Sequence, residues 1–172
     1  MPKVLLVIAF SGYQPTEYGE PKRVLSQAGY EVITTSTQIG EAQAAYDGST
    51  TIVNTKIIDI NPEDYVGLFF IGGPGALEDL DNEESYKLLR TWQTTGKPYG
   101  AICISPRILA KAGVLKNKQA TGWDNDNELA NIFAINNVEY VKEKVVTDGN
   151  VITASGPEVA EEFGQAILKV IL

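Results

Sequence analysis

Cys103 is the residue of this sequence best suited to nucleophilic chemistry. It is the only cysteine among 172 residues, and it lies in the run Ala101–Pro106, AICISP, where an apolar segment gives way to a predicted helix. A residue at the carboxyl end of a parallel strand and just before a helix lies in the usual ligand crevice of an open α/β sheet. The alternative is an inert buried thiol, which is the ordinary state of a lone free cysteine.

A reactive Cys103 would need activation by groups other than imidazole, because the chain contains no histidine. Free N–H groups and the dipole at the start of the following helix are expected to lower the pKa of the thiol. Together with the N–H of Gly73, the same groups could bind a developing oxyanion. Gly100, Ala101 and Ser105 are small or permissive enough for the tight turn of a nucleophile elbow.

Two other segments look like ligand motifs but lack the required residues. Gly72–Gly75 has neither the Gly-Lys-Ser/Thr ending of a P-loop nor the spacing of a dinucleotide-binding loop, so no nucleotide cofactor is expected. Its glycines instead let main-chain N–H groups approach a ligand. The acidic run Asp124–Glu128 lacks the Gly and Glu that a calcium loop requires at positions six and twelve. We interpret it as a loop followed by a helix with its N-cap at Asp126 or Asn127.

Composition narrows the classes of partner. The net charge of -8 reflects 22 acidic and 14 basic residues, and no basic cluster exceeds Lys22-Arg23. Nucleic acids and anionic membranes are therefore not expected partners. One cysteine cannot form an internal disulfide, and a Cys/His zinc site is excluded, so no metal is predicted and a reducing cytoplasm is expected. The apolar run Val4–Phe10 is too short to span a bilayer and predicts a buried strand.

Alternating β-branched runs and helical segments predict one α/β domain over residues 1–172. We expect a flavodoxin-like sandwich, in which helices cover both faces of a mostly parallel central sheet. Two hairpins are also predicted, the second at a sheet edge with a turn at residues 148–150. The predicted hairpin strands are Thr51–Val53 with Lys56–Asp59, and Val138–Val146 with Val151–Ala154. The other predicted strands are Lys3–Ala9, Glu31–Thr35, Val66–Ile71 and Tyr99–Ile102. The predicted helices are Pro15–Ala28, Glu83–Thr94, Pro106–Ala112 and Glu158–Leu172, the first and third ended by Gly29 and Gly113.

Several short motifs, taken together, resemble the PfpI-type superfamily. This superfamily includes intracellular proteases, the Parkinson-disease-associated deglycase and isonitrile hydratases, and it is related to class I glutamine amidotransferase domains. The resemblance covers essentially the whole chain. The motifs are Gly100-Ala-Ile-Cys103-x-x-Pro106 followed by Leu109–Leu115, Gly72-Gly73, Glu17-x-x-x-Pro21 leading to Leu25-x-x-Ala28-Gly29, and Asp148–Thr153 running into Gly156-Pro157.

The resemblance implies roles for individual residues. Cys103 would be the nucleophile, Glu17 would contact it, and the N–H groups of Gly73 and Ile104 would bind an oxyanion in a cofactor-independent homodimer. A carboxylate held against a thiolate has a raised pKa and shares one proton with it, so Glu17 is expected to act as a general acid/base near neutral pH. Further candidates for the pocket wall are Tyr18, Pro74 and Trp123.

The sequence departs from the family pattern where histidine or arginine is usual. The proteases carry His directly after the cysteine, where this chain has Ile104, and the deglycase histidine corresponds to Gly122 or Trp123. Ser155 replaces the arginine that many relatives have before Gly-Pro. Peptide hydrolysis is therefore not expected, because no side chain is suited to protonate an amine leaving group near pH 7.

Three functions remain open from the sequence. The leading hypothesis is a cysteine-dependent enzyme that acts on a small electrophile. Its substrate would be an α-oxoaldehyde such as methylglyoxal, in a glyoxalase-like or deglycase-like reaction, or an isonitrile, in a hydratase-like one. The second is a redox or stress-responsive protein without turnover, in which Cys103 is oxidised to a sulfinic acid beside Glu17. The third is a degenerate relative that serves as a binding or chaperone-like module.

Overall fold

A seven-stranded sheet forms the centre of the computed structural model, which describes residues 1–172. The strands are β1 (Lys3–Val7), β2 (Ser11–Tyr13), β3 (Glu31–Ser36), β4 (Gly40–Ala44), β5 (Thr50–Val53), β6 (Thr55–Lys56), β7 (Gly67–Phe70), β8 (Tyr99–Ile102), β9 (Gln119–Ala120), β10 (Glu139–Tyr140), β11 (Val145–Asp148) and β12 (Val151–Ala154). The helices are α1 (Pro15–Gln27), α2 (Ala76–Leu80), α3 (Glu83–Thr94), α4 (Pro106–Ala112), α5 (Leu129–Ile135) and α6 (Ala160–Ile171). None of these helices is both long and apolar enough to cross a bilayer.

The central sheet has the strand order β11-β12-β8-β7-β1-β3-β6. All neighbouring strands are parallel except β11 and β12, which form an antiparallel hairpin at one edge. Every residue of β7, β8 and β12 is buried, as expected for parallel strands that are covered on both faces. The predicted flavodoxin-like α/β fold is confirmed.

Two layers of helices bury the two faces of the sheet. Leu5 and Val7 of β1 belong to the core beneath α3, α4 and α5, whereas Val4 and Leu6 belong to the core beneath α1 and α6. This alternation follows from the two-residue period of a strand. Helices thus flank the sheet on both sides, and the loops at the carboxyl ends of its parallel strands meet at one edge, where the candidate site lies.

The first predicted hairpin is wrong. Thr50–Val53 pairs antiparallel with Gly40–Ala44 in a separate sheet of order β2-β4-β5. Thr55–Lys56 instead joins the central sheet beside β3, and residues 57–59 form a 3₁₀ turn. Only Asn54 separates the two strands, and one residue is too few for the two-residue loop of the tightest common hairpins. The chain therefore passes from one sheet to the other.

The second predicted hairpin is correct only in its second half. β11 pairs with β12, but Glu139–Tyr140 pairs parallel with Gln119–Ala120 in a two-stranded sheet. The charged run Lys142–Lys144 interrupts the predicted strand because it offers no apolar face to bury. The last helix also starts later than predicted, at Ala160, after a 3₁₀ turn over residues 157–159.

The helix after the acidic run does not use the predicted N-cap. α5 begins at Leu129, with Glu128 at the N-cap position. The carboxylate of Asp124 accepts the Leu129 N–H at 2.9 Å. Asp126 binds Arg107 through both carboxylate oxygens, and its Oδ1 also accepts the Glu128 N–H at 3.2 Å, one residue before α5 begins.

Candidate active site

Cys103 occupies a sharp turn between β8 and α4. Its φ of 65° lies in the left-handed region, which is unfavourable for a residue other than glycine. Its N–H donates to the Ala154 carbonyl at 2.9 Å, and its carbonyl accepts the Trp123 N–H at 2.7 Å. The Ser105 hydroxyl donates to the Ile71 carbonyl at 2.7 Å. The main chain on both sides therefore holds the cysteine in a strained conformation.

Glu17 is a fully buried carboxyl group in the first turn of α1. Gln14 caps this helix, and its side chain accepts the Glu17 N–H at 2.8 Å. Glu17 Oε1 accepts the Gly72 N–H at 3.0 Å, whereas Oε2 is buried without a well-formed hydrogen bond. The weak donor that faces this carboxyl group is the Cys103 thiol. The hydrogen bonds of the buried carboxyl group therefore do not fix its protonation state.

Gly72 and Gly73 bring the two side chains together. A Cβ at Gly72 would lie 2.5 Å from Glu17 Oε1 and 2.7 Å from Cys103 Cβ, so the two side chains meet over this glycine. Gly73 has a φ of 126°, and a Cβ there would collide with the main chain that precedes α1. The N–H groups of Gly73 and Ile104 have no backbone acceptor. Two main-chain donors without a carbonyl acceptor thus lie near the pair, and the Ile104 N–H faces the Cys103 sulfur.

The environment of the pair shifts both pKa values upward. Burial raises the pKa of Glu17 from 4.5 to about 7, opposed by hydrogen bonds from Cys103 and Gly72. Burial and then the negative charge of Glu17 raise the pKa of the Cys103 thiol, while the Ile104 N–H lowers it. The pair therefore loses its first proton near neutral pH, and its second proton is held more tightly than that of a free thiol. The expected lowering of the thiol pKa is wrong, because desolvation outweighs one N–H group.

The pair opens into a cavity of about 520 Å³. Six of the predicted site residues line this cavity: Glu17, Gly73, Pro74, Cys103, Ile104 and Trp123. Four more that the sequence analysis missed are Gln14, Tyr46, Leu77 and Pro157. Gln14 could have been found, because a polar N-cap three residues before Glu17 must lie beside it. Tyr46 lies on the β4–β5 loop of the small sheet, and nothing in its local sequence connects it to the cysteine.

Tyr18 does not line the cavity, so that prediction is wrong. One residue along a helix turns the side chain by about 100°, which directs Tyr18 away from the side occupied by Glu17. Its ring packs edge-on against Tyr13 at a centroid distance of 5.5 Å. Its hydroxyl is 2.7 Å from Thr34 Oγ1 and forms a buried hydrogen bond with it.

Trp123 is held in the cavity wall by Arg107 of α4. The guanidinium carbon lies 5.4 Å from the centroid of the indole ring, and Nη2 donates to the Trp123 carbonyl at 3.0 Å. Both Nη atoms donate to the Asp126 carboxylate, at 2.7 and 2.9 Å. Arg107 is only 5% exposed. No local pattern predicts this arrangement, since an arginine in the first turn of a helix ordinarily faces solvent.

Backbone strain is concentrated at this site. Five residues other than glycine have a positive φ, and three of them are asparagines, which tolerate that conformation. The other two are Tyr46 and Cys103, which both line the cavity. Strain of this kind persists where the surrounding structure enforces it, and it is typical of functional sites.

The cavity wall contains no cationic side chain. Ser155 donates its hydroxyl to Glu158 Oε1 at 3.2 Å. No group of three or more Cys, Asp or Glu side chains is placed to hold a metal ion. Among the lining residues, Cys103 is of a type that can add to an electrophile, and Glu17 is of a type that can transfer a proton.

The fold and the site together define a class: flavodoxin-like α/β proteins in which a nucleophile elbow presents a cysteine to a buried glutamate. The model of the DJ-1/PfpI family matches residues 2–170, and the chain belongs to this family.

Comparisons with individual proteins agree with this assignment. An uncharacterised protein of Methanocaldococcus jannaschii is 38% identical over 170 residues, which cover 98% of this chain and 82% of that protein. Deglycase PfpI of Pyrococcus furiosus is 28% identical over 154 residues, which cover 89% of this chain and 90% of the deglycase. The crystal structure of a ThiJ/PfpI domain protein from Brachyspira murdochii superposes with a TM-score of 0.92 and 27% identity, over 98% of this chain and 95% of that one.

Proposed function

We propose that this protein is a cofactor-independent, cysteine-dependent enzyme that acts on a small electrophile. The observation that carries the proposal is the contact of Glu17 with Cys103 at a cavity of about 520 Å³. A carboxyl group whose pKa is about 7 can both accept and donate a proton near neutral pH. The similarity to a deglycase supports an enzymatic role.

In the first step, Cys103 adds to the aldehyde carbon of an α-oxoaldehyde. The thiol is protonated at neutral pH, so the Glu17 carboxylate accepts its proton as the S–C bond forms. The carbonyl electron pair moves to oxygen, where the free N–H groups of Gly73 and Ile104 would stabilise it. The proton then passes from Glu17 to this oxygen and completes a hemithioacetal.

In the second step, the hemithioacetal isomerises to a thioester. Glu17 removes the proton from the former aldehyde carbon and returns it to the adjacent carbon, while the hydroxyl proton moves from the first oxygen to the second. Water then cleaves the thioester, which releases a 2-hydroxy acid and restores the thiol. The reaction consumes one water and needs no oxidant or reductant.

An isonitrile is the alternative substrate for the same pair. Sulfur would add to the terminal carbon, and that carbon would take up the thiol proton to give a thioimidate. Attack by water at this carbon would expel the thiol and leave an N-substituted formamide. Neither route requires protonation of an amine leaving group, which fits a site without histidine.

A substrate panel tests this proposal. Purified protein and the Cys103→Ser variant are incubated with methylglyoxal, an isonitrile and a simple ester, and the products are identified by NMR. We expect lactate or a formamide from the wild type and a loss of at least about 100-fold in the variant. The enzyme proposal is overturned if no substrate shows turnover dependent on Cys103. Selective oxidation of Cys103 by peroxide in that case would favour the redox-responsive alternative.

The assembly is also part of the proposal. The family resemblance suggests a homodimer, and light scattering after size exclusion tests it directly. A mass near twice 18.7 kDa is expected, and a mass near 18.7 kDa at micromolar concentration would contradict it.

A further inference from the structure

The cavity carries charge of one sign only. Glu17 is the only lining residue with a carboxylate, and no lysine or arginine lines the cavity. When Glu17 is ionised, its charge is placed beside the sulfur atom that must meet the substrate. In a partly desolvated site, a unit charge at such short range acts strongly on a charged ligand.

Glu158 adds a second negative charge next to the cavity wall. It follows Pro157, which lines the cavity, and its Oε1 accepts the Ser155 hydroxyl at 3.2 Å. Its charge raises the pKa of both Glu17 and Cys103, so its field reaches the pair. Ser155 thus holds the Glu158 carboxylate beside Pro157, which lines the cavity.

The cation that contacts the lining residue Trp123 is already neutralised by a carboxylate. Arg107 lies behind the Trp123 ring, and its two Nη atoms are bound to the Asp126 carboxylate at 2.7 and 2.9 Å. Its guanidinium carbon is 5.4 Å from the ring centroid, so the guanidinium group contacts both the indole of Trp123 and the carboxylate of Asp126. An anionic substrate would therefore meet no cationic side chain in the cavity wall.

We propose that the site selects electrophiles by charge: neutral or cationic substrates reach Cys103, and carboxylate-bearing or other anionic ones are excluded by Glu17 and Glu158. This inference rests on the proposed function, because it assigns the substrate class of the same cavity. It names Glu158 as a residue that determines specificity without taking part in the reaction.

The test uses two methanethiosulfonate reagents of similar size and opposite charge, the 2-(trimethylammonium)ethyl and the 2-sulfonatoethyl compounds. Each transfers its thioalkyl group to Cys103 and releases methanesulfinate, so labelling is followed by mass spectrometry without any turnover. The ratio of the cationic to the anionic rate is divided by the same ratio for 2-mercaptoethanol. We expect a corrected ratio of roughly tenfold or more at low salt, falling toward one in 1 M NaCl.

Two variants locate the effect. Glu158→Gln should lower the corrected ratio at least about twofold, whereas Glu162→Gln, an exposed glutamate on α6 with the same change of net charge, should leave it unchanged. A corrected ratio near one, or an equal response to the two variants, would overturn the inference.

Turnover distinguishes this inference from the proposed function. Phenylglyoxal and 4-carboxyphenylglyoxal differ by one carboxylate, and kcat/KM should favour the neutral compound by roughly tenfold or more. If neither compound is turned over while the labelling ratio is high, the enzyme proposal is contradicted and charge selection stands. If both are turned over equally and the labelling ratio is near one, charge selection is contradicted and the enzyme stands.

Discussion

Two buried side chains on opposite sides of the cysteine turn, Arg107 and Glu17, differ in how well their charges are paired. Arg107 has a bidentate carboxylate, a carbonyl oxygen and an aromatic face as partners, and only its Nε is buried without an acceptor. Glu17 has one N–H and a thiol, and one of its oxygens lacks a well-formed hydrogen bond. A buried charge is stable only when it is paired. Arg107 is therefore a structural support of the cavity wall, whereas Glu17 is able to change its protonation state.

The largest expected effect comes from removing the carboxylate. Glu17→Gln should lower kcat/KM by about 10² to 10⁴, because the amide cannot exchange a proton with the thiol. Glu20→Gln is the matched control, since Glu20 lies one turn further along α1, is partly exposed and pairs with Arg23 at 2.7 Å. Steady-state kinetics on the active substrate measure both. Retention of most activity in Glu17→Gln would contradict the assignment of Glu17 as a proton-transfer group, in contrast to the structural Arg107.

The second effect is on stability as a function of pH. The pKa of Glu17 is raised from 4.5 to about 7 by burial, so the folded state holds a proton that the unfolded state has lost between these values. The free energy of unfolding should therefore fall by about 3 kcal/mol as the pH rises through this window. Urea titrations at pH 4.5 to 8 compare the wild type with Glu17→Gln, which should lack this contribution. Parallel pH profiles would contradict the assignment.

A smaller effect is expected on the arginine side. Asp126→Asn should cost about 1–2 kcal/mol, since the amide replaces a charge-assisted partner of a buried guanidinium but the position is itself exposed to solvent. KM should rise more than kcat falls, because the variant loosens Trp123 and leaves the reacting pair in place. Asp59→Asn, at an exposed carboxylate, is the control for thermal unfolding. An unchanged midpoint of thermal unfolding in Asp126→Asn would show that the ion pair of Asp126 with Arg107 does not stabilise the cavity wall.

The smallest expected effect is a gain in the stability of α1 with no change in the activity that depends on Glu17. Gly19 lies in α1, and a Cβ there would contact nothing within 4 Å. Gly19→Ala should therefore stabilise the protein by about 0.5–1 kcal/mol and leave kcat/KM unchanged. Denaturant unfolding and steady-state kinetics check the two halves. A loss of activity would mean that the position of Glu17 depends on flexibility of its helix.

Most of the sheet could be predicted from the sequence because its parallel strands are continuous apolar runs. The small sheet could not, since Gly40–Ala44 buries only Ala42 and has no strand-like alternation of large apolar residues. Likewise, residues 51–59 contain two β-like pieces, but pairing depends on tertiary partners that no local pattern encodes.

The residues of the site also fall into those that the sequence could place and those that it could not. Cys103 and the glycine pair stand directly after strands, so their placement follows from topology. The neighbours supplied by distant loops, Tyr46 and Pro157, have no local signal. The direction of the thiol pKa also escaped the sequence argument, because it depends on how deeply the sulfur and Glu17 are buried together.

The left-handed backbone at Cys103 makes this cysteine easy to lose by mutation when its reactivity is not under selection. Glycine at that position would release about 1 kcal/mol of torsional strain, and asparagine would release part of it. Selection for heat resistance alone, with no demand for reactivity, should then enrich both replacements in a library randomised at codon 103. A lineage that keeps cysteine there is under continuing selection for what the sulfur does.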